Sequence, residues 1–496
     1  MAKAIIPPED DLTHSELSFL KELEEYSFES KMIVCQRFAS RIMSCSEVDM
    51  QRAFDQNIMP WELEAFAAFS VVYDIDGVER QIEMDAFSKI ITKIRNYWHP
   101  ELTLAGANGT YADTFMMISA LQQFPVQGVF LQKLFRYDYF FNFVNSNVDM
   151  KTEFCQKFKT PYIDFELFAY IIFVYCSQDA HKLGTAIDCQ RLIAKAFKKD
   201  KVFQELCIEK EIYKNELTSL YRGNVLDYYF GLKIQYVYPL IAGSEFTYIP
   251  SPYLVVNAVT ESLLNRLTFG NKKLRNTFGK EVIENYLLDI YKEVPDVTWI
   301  SPEFAYIVGR EENRTSDVLV SEGNYCTFYD TKAFSPSLKV RQFSQEEIDR
   351  EIEIYAEDVL QVYQQILNYS ESYYALDKIY DQKHLFGVVV VLEDAVVPRE
   401  KVYNKAFEMR IKKVGSISDN EKGYVHSHIK IVPLRQIEAM VLQNMSFLPC
   451  LLAQAEHPEK WNDLNFATPN TEHGLLPIYE QFVSQIKREV IDYLKQ

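Results

Sequence analysis

Apolar residues in the first half of the chain recur at helical spacing, over Ser15 to Met43, Trp61 to Phe69, Met84 to Trp98 and Asp188 to Leu206. Thr13 and Pro60 mark two of the starts. These segments predict a mostly α-helical N-terminal half. The aromatic run Phe135 to Phe143 falls in it and predicts buried core, with base stacking as the other use of such a cluster. Gly243, Pro250 and Pro252 then interrupt the periodicity, which places a domain boundary near residue 245.

Beyond the boundary the pattern changes character. Phe278 to Tyr291 is amphipathic, with Ile283, Leu287 and Ile290 on one stripe. At ~100° per residue, Glu284 projects beside that stripe and Glu281 almost opposite to it. Ser316 to Val320 and Tyr325 to Asp330 are rich in β-branched and aromatic residues and flank Ser321-Glu322-Gly323-Asn324, which predicts a hairpin. A four-residue turn pairs Val320 with Tyr325 and sets Asp317 opposite Phe328, with Asp330 its diagonal neighbour at roughly 7 Å between backbones. Asp317, Phe328, Asp330 and Lys332 then share one face. Ile354 to Asn368 returns to helical spacing, and Leu385 to Leu392 is a continuous apolar run that predicts a strand covered on both faces. Tyr424 to Val432 alternates and predicts a strand with His426 and His428 on one side; with no Cys or third His nearby, it makes no metal site. A final amphipathic helix is predicted over Ile478 to Leu494, packing back on the body after a loop from His457 to Pro477.

Two carboxylates and a lysine on paired strands form a set suited to metal-dependent phosphodiester chemistry, because Mg²⁺ takes oxygen ligands and needs only one or two carboxylates besides water and phosphate. The ammonium of Lys332 can orient or help deprotonate a water, or offset charge building on phosphorus. Read alone, Asp317 could equally cap an ordinary strand, and Asp330 with Lys332 could be a solvated pair. The order helix, hairpin, helix, buried strand over roughly residues 275 to 395 resembles the PD-(D/E)XK nuclease superfamily, with its restriction-endonuclease-like fold. Asp317 matches the first acidic position, with Ser316 where the name-giving proline would stand, and Asp330 with Lys332 matches the (D/E)xK triplet. Glu284 matches the helix carboxylate of the family. Gln365 and Tyr369 are similar to the Q-x-x-x-Y element of RecB-type members, which helps to position DNA.

The resemblance implies a Mg²⁺- or Mn²⁺-dependent nuclease in which Asp317, Asp330 and Glu284 hold the metal and Lys332 assists the water. Lys339 and Arg341, after Pro336, could hold the substrate backbone or be charges on a solvated loop. DNA is the expected polymer ahead of RNA. A large helical domain fused to such a core is similar to effectors of bacterial defence against phage, whose extra domain senses a trigger or recruits a protein partner. The alternatives are an RNase with the same site and a noncatalytic interaction scaffold.

Composition modifies this picture in few places. The net charge of −18 disfavours a nucleic-acid partner. Basic residues nevertheless cluster at Arg266 to Lys280 and Arg399 to Lys413, flanking the expected core, and at Lys195 to Lys201. Eight cysteines without a C-x-x-C pair predict reduced core residues. The acidic N-terminus predicts no signal peptide, and the longest apolar run, Phe165 to Cys176, is too short to span a bilayer, so a cytoplasmic protein with no membrane partner is expected. No P-loop, G-x-G-x-x-G or H-E-x-x-H occurs, so any ATP dependence would come from a partner. The expected architecture is α+β and multidomain: a helical domain over 1–245, an α/β restriction-endonuclease-like core with a mixed sheet flanked by helices over 246–445, and a loop and helix over 446–496.

Overall fold

A computed structural model of the chain describes residues 17–43, 58, 60–97, 130–178, 200–220, 234–243, 246–333, 345–393, 397–457 and 474–495. Its helical first half contains α1 (Phe28–Met43), α2 (Pro60–Val72), α3 (Met84–Tyr97), α4 (Phe130–Asn142), α5 (Met150–Phe158), α6 (Tyr162–Gln178), α7 (Asp200–Leu206) and α8 (Lys210–Leu220). The aromatic run lies on α4 as core, with Phe135, Tyr137, Phe140 and Phe141 all buried. The apolar run Phe165 to Cys176 lies on α6, and no helix among the described residues is long and apolar enough to cross a membrane.

A small sheet spans the boundary expected near residue 245. Its strand β1 (Cys207–Glu209) pairs in parallel with β2 (Leu240–Ala242), which pairs antiparallel with β3 (Thr247–Tyr248). Two helical stretches follow, each interrupted by a wide π turn: α9 (Leu254–Asn257), a π turn over Ala258–Ser262 and α10 (Leu263–Thr268), then α11 (Lys272–Thr277), a π turn over Phe278–Ile283 and α12 (Glu284–Lys292).

The principal sheet has five strands: β4 (Val297–Pro302), β7 (Val318–Glu322), β8 (Tyr325–Lys332), β9 (Leu385–Val391) and β10 (Ile429–Pro433). In space their order is β10-β9-β8-β7-β4, with parallel pairing from β10 to β8 and antiparallel pairing from β8 to β4. Between β4 and β7 the chain makes a separate hairpin, β5 (Ala305–Val308) with β6 (Glu311–Arg314), closed at its base by reciprocal contacts of Phe304 with Thr315.

Helices α13 (Gln345–Ser370) and α14 (Arg399–Val414) cover one face of the sheet, burying Leu319, Phe328, Val389 and Ile431 with Tyr355, Val359 and Val362. A Cβ at Gly387 would lie 2.4 Å from Val362 Cγ1, so the approach of α13 to β9 depends on a missing side chain. The opposite face carries Val318, Val320, Tyr329 and Val388 against Ile283, Leu287 and Tyr291. The chain continues through α15 (Asp419–His428), β10, α16 (Leu434–Val441) and α17 (Leu448–Glu456) to α18 (Pro477–Lys495). Helix α18 lays Tyr479 and Phe482 on Phe135 of α4.

Two expectations are corrected. Tyr424 to His428 is helical: Ser418 caps α15 through its side chain, which accepts from Glu421 N, and the strand begins only at Ile429. His426 contacts Glu400, and His428 stacks between Phe386 and Tyr424. The hairpin turn is also tighter than the sequence suggested. Glu322 pairs with Tyr325, leaving a two-residue turn of Gly323 at φ 55° and Asn324. Glycine adopts that left-handed conformation without a Cβ clash, which favours a short turn over the four-residue one. Leu319 therefore faces Phe328, and Val318 faces Tyr329.

The helical half is joined to the sheet by buried charge. Arg136 on α4 donates through Nε to Glu438 Oε1 at 2.7 Å and through its second nitrogen to Oε2, while Tyr286 OH donates to the same Oε1 at 2.7 Å. Glu393, just beyond β9, lies 3.8 Å from Arg136, and Lys133 pairs with Glu261 in the first π turn.

Candidate active site

The corrected register places Asp317 and Asp330 just beyond the last pair of the hairpin. Asp317 stands one residue before β7 and Asp330 one residue beyond the Val318–Tyr329 pair, so the two carboxyls are neighbours, and Asp330 alternates with Phe328 on the face under α13. Lys332 follows two residues on, at the end of β8. Asp330 is 3% exposed. Asp317 Oδ2 accepts from Thr331 N at 2.6 Å and from Thr331 Oγ1 at 3.0 Å, which fixes its rotamer.

Glu284 arrives from the other side, at the first residue of α12. The preceding π turn sets its rotation, and Gly279 in that turn lets the backbone approach β8: a Cβ there would lie 3.0 Å from Ala333 Cβ. Burial pushes the Glu284 carboxyl up to about 9, with Asp317 and Glu303 adding repulsion. Glu281 turns elsewhere, accepting from Asn145 and Asn147. Burial likewise pushes Asp317 up to about 7, reinforced by Asp330 and opposed by the Thr331 hydrogen bonds.

The lysine is held by three acceptors. Lys332 Nζ lies 2.6 Å from Asp330 Oδ2, 3.2 Å from Asp358 Oδ1 and 3.3 Å from Gln361 Oε1. Burial works against the ammonium, but Asp330 and Asp358 more than offset it and hold its pKa above the ordinary lysine value. Burial lifts Asp358 itself to about 6.

Asp358 and Gln361 were not among the residues expected from sequence. A signal for Asp358 existed: it interrupts the buried stripe Ile348, Ile352, Tyr355, Val359 and Val362 of α13, where an unpaired carboxylate would be costly. Gln365 and Tyr369 lie further along α13, away from the acids. Gln365 accepts from Tyr306 OH at 2.8 Å and Tyr369 OH from Tyr380 N at 2.8 Å, so they tie α13 to β5 and to the segment before β9. Lys339 and Arg341 lie outside the described residues, as do Lys195, Lys198 and Lys199. Of the basic clusters, Arg275 donates to Ala333 O at 2.9 Å, and Lys280 and Arg314 both pair with Glu303. In the later cluster Lys405 pairs with Glu353 and Arg410 with Glu421.

Among the described residues no three His, Cys, Asp or Glu side chains form a complete metal-binding set. The two neighbouring aspartates do suit a hard cation that keeps several waters. Two adjacent carboxylates, one lifted toward neutrality by burial and by its neighbour, are relieved either by a proton or by a positive ion. Compared with protein-family models, curated proteins and solved structures, the chain matches none.

The raised carboxyls link folding to pH. A carboxyl whose folded pKa exceeds its unfolded value binds more protons when folded, so stability falls as pH rises from the unfolded value through the folded one. For Asp317 that window runs from 3.8 to about 7, and for Glu284 from 4.5 to about 9. Thermal melts in a metal-free buffer from about pH 5 to about pH 9 should show Glu284→Gln gaining a few degrees on the wild type toward the alkaline end. Parallel pH curves for the two proteins would place Glu284 in a less desolvated setting.

Proposed function

We propose that the chain is a divalent-cation-dependent nuclease with a restriction-endonuclease-like core that hydrolyses phosphodiester bonds of DNA. The observation that carries this reading is that Asp317 and Asp330 are buried neighbours, with Lys332 against Asp330, at one end of a mixed sheet. Nothing in the stability of a hairpin calls for that set, because buried carboxylates beside each other cost free energy.

Asp317 and Asp330 would hold Mg²⁺ or Mn²⁺, and Glu284 would complete or tune the site. The cation, when bound, supplies Lewis acidity at the phosphate and a more acidic water. The protein's own residues do the positioning. Thr331 locks Asp317, the hairpin register fixes the distance between the acids, and Lys332 brings a positive charge to where negative charge builds on the phosphate. The helical half, joined through Arg136 to Glu438, would take a trigger or protein partner, in keeping with a regulated effector of bacterial defence against phage.

The test is incubation of the purified full chain with supercoiled plasmid, single-stranded DNA and RNA, each with Mg²⁺, Mn²⁺ or EDTA. DNA cleavage with metal and none in EDTA is the expected result. Cleavage of RNA alone would reassign the polymer. No cleavage, together with no rise in melting temperature on adding either ion, would favour a noncatalytic scaffold.

A further inference from the structure

Lys332 Nζ lies within 3.3 Å of three oxygens, donating to Gln361 Oε1 and ion-paired to Asp330 and Asp358. Its shortest contact is to Asp330 Oδ2, an oxygen that the proposed function assigns to a cation. A cation and an ammonium compete for that oxygen. The other two acceptors lie on α13, a 26-residue helix anchored in the core by Tyr355, Val359 and Val362. Asp358 is set among those residues with its side chain 13% exposed, where an apolar residue would pack without any desolvation cost.

We infer that Asp358, assisted by Gln361, is a positioning residue that receives the Lys332 ammonium when a divalent cation takes Asp330. The inference rests on the nuclease reading of the same site. Asp358 keeps the lysine charged, draws it off the metal-binding oxygen and holds it beside the reacting phosphate, so that binding the ion and placing the lysine become one rearrangement. Without Asp358, the ammonium has no second carboxylate to move to and blocks the cation.

Mn²⁺ is the probe, and its affinity for the full-length protein is read by calorimetry or by the paramagnetic resonance of the free ion, with no substrate present. Four proteins form a cycle: wild type, Asp358→Ala, Lys332→Met and the double variant, each checked for a native melting transition. Asp358→Ala should weaken Mn²⁺ binding ~10-fold when Lys332 is present and have little effect when position 332 is methionine. Lys332→Met alone should bind Mn²⁺ at least as tightly as the wild type. Asp358→Glu should restore most of the affinity lost in Asp358→Ala. Equal losses with and without Lys332 would make Asp358 a general electrostatic contributor and overturn the inference, as would no loss at all. Absence of Mn²⁺ binding by the wild type would overturn the metal-dependent reading itself, and this inference with it.

Discussion

On the nuclease reading, a Lys332→Met variant should lose DNA cleavage by ~10²–10³-fold in kcat at saturating Mg²⁺, since it removes the positive side chain proposed to meet developing charge. Methionine keeps an unbranched stem of similar length and deletes only the charge and its donors. The loss should fall on kcat, because the interaction strengthens as the phosphate gains charge. Stability should change much less. Asp330 and Asp358 lose their shared cation, which costs about 1–3 kcal/mol for buried acceptors left unmet. That cost should shrink in mildly acidic buffer, where protonation removes the unpaired charge, whereas activity should not return. Lys332→Arg should also fail to restore the rate, because a planar fork cannot take the position of a compact ammonium between two carboxylates. Initial rates with melting curves for each variant decide the matter, and a Lys332→Met protein that cleaves at the wild-type rate removes the lysine from the chemistry.

The largest loss of stability is expected far from that site. Arg136→Ala leaves Glu438, which is fully buried, without its two-nitrogen partner, and should destabilise the protein by about 3–5 kcal/mol. Tyr286 OH still donates to Glu438 Oε1, but one neutral hydrogen bond does not compensate a buried carboxylate. Arg136→Lys should recover only part of the loss, because Glu438 accepts from two separate nitrogens. Arg136→Met combined with Glu438→Leu should recover most of the loss, since an apolar pair avoids both desolvation costs and leaves Tyr286 OH and Glu393 as the groups without their partner. Urea unfolding of the four proteins provides the measurement. Equal stability of Arg136→Ala and wild type would mean that water reaches Glu438 and that the two halves are not joined through this pair.

Much of the architecture could be read from sequence where burial is dense and periodic. The apolar run at 385–392 is β9, buried along its whole length, because a strand covered on both faces has no polar position to display. The pattern over 354–368 lies within α13, and the aromatic run at 135–143 lies largely on α4 as core. What escaped was set by single residues or by distant parts of the chain. The hairpin register turned on Gly323, one residue whose backbone freedom set Val318 opposite Tyr329 and Leu319 opposite Phe328. Strands β1, β2 and β3 are two or three residues long, too short to carry a period. The capping oxygen of Ser418 made a helix of an alternating segment. Asp358 could have been noticed as a charge on a buried stripe, but its partner lies 26 residues back along the chain and only the fold brings them together. The carboxyl pKa values depend on burial by elements from separate parts of the chain, which no local pattern encodes.

The π turn over Phe278–Ile283 makes the composition of the site depend on chain length as well as on chemistry. An α-helix through the same segment would need one residue fewer. Deleting a single residue there would let the turn close as an α-helix with Glu284 still facing Asp317, whereas the same deletion in the α-helical turns before it would rotate everything downstream by ~100° and carry Glu284 away without altering any acidic side chain. Two chains with identical acids and lysine could therefore differ in activity through where along this helix a residue is missing, the π turn being the place where the loss is absorbed.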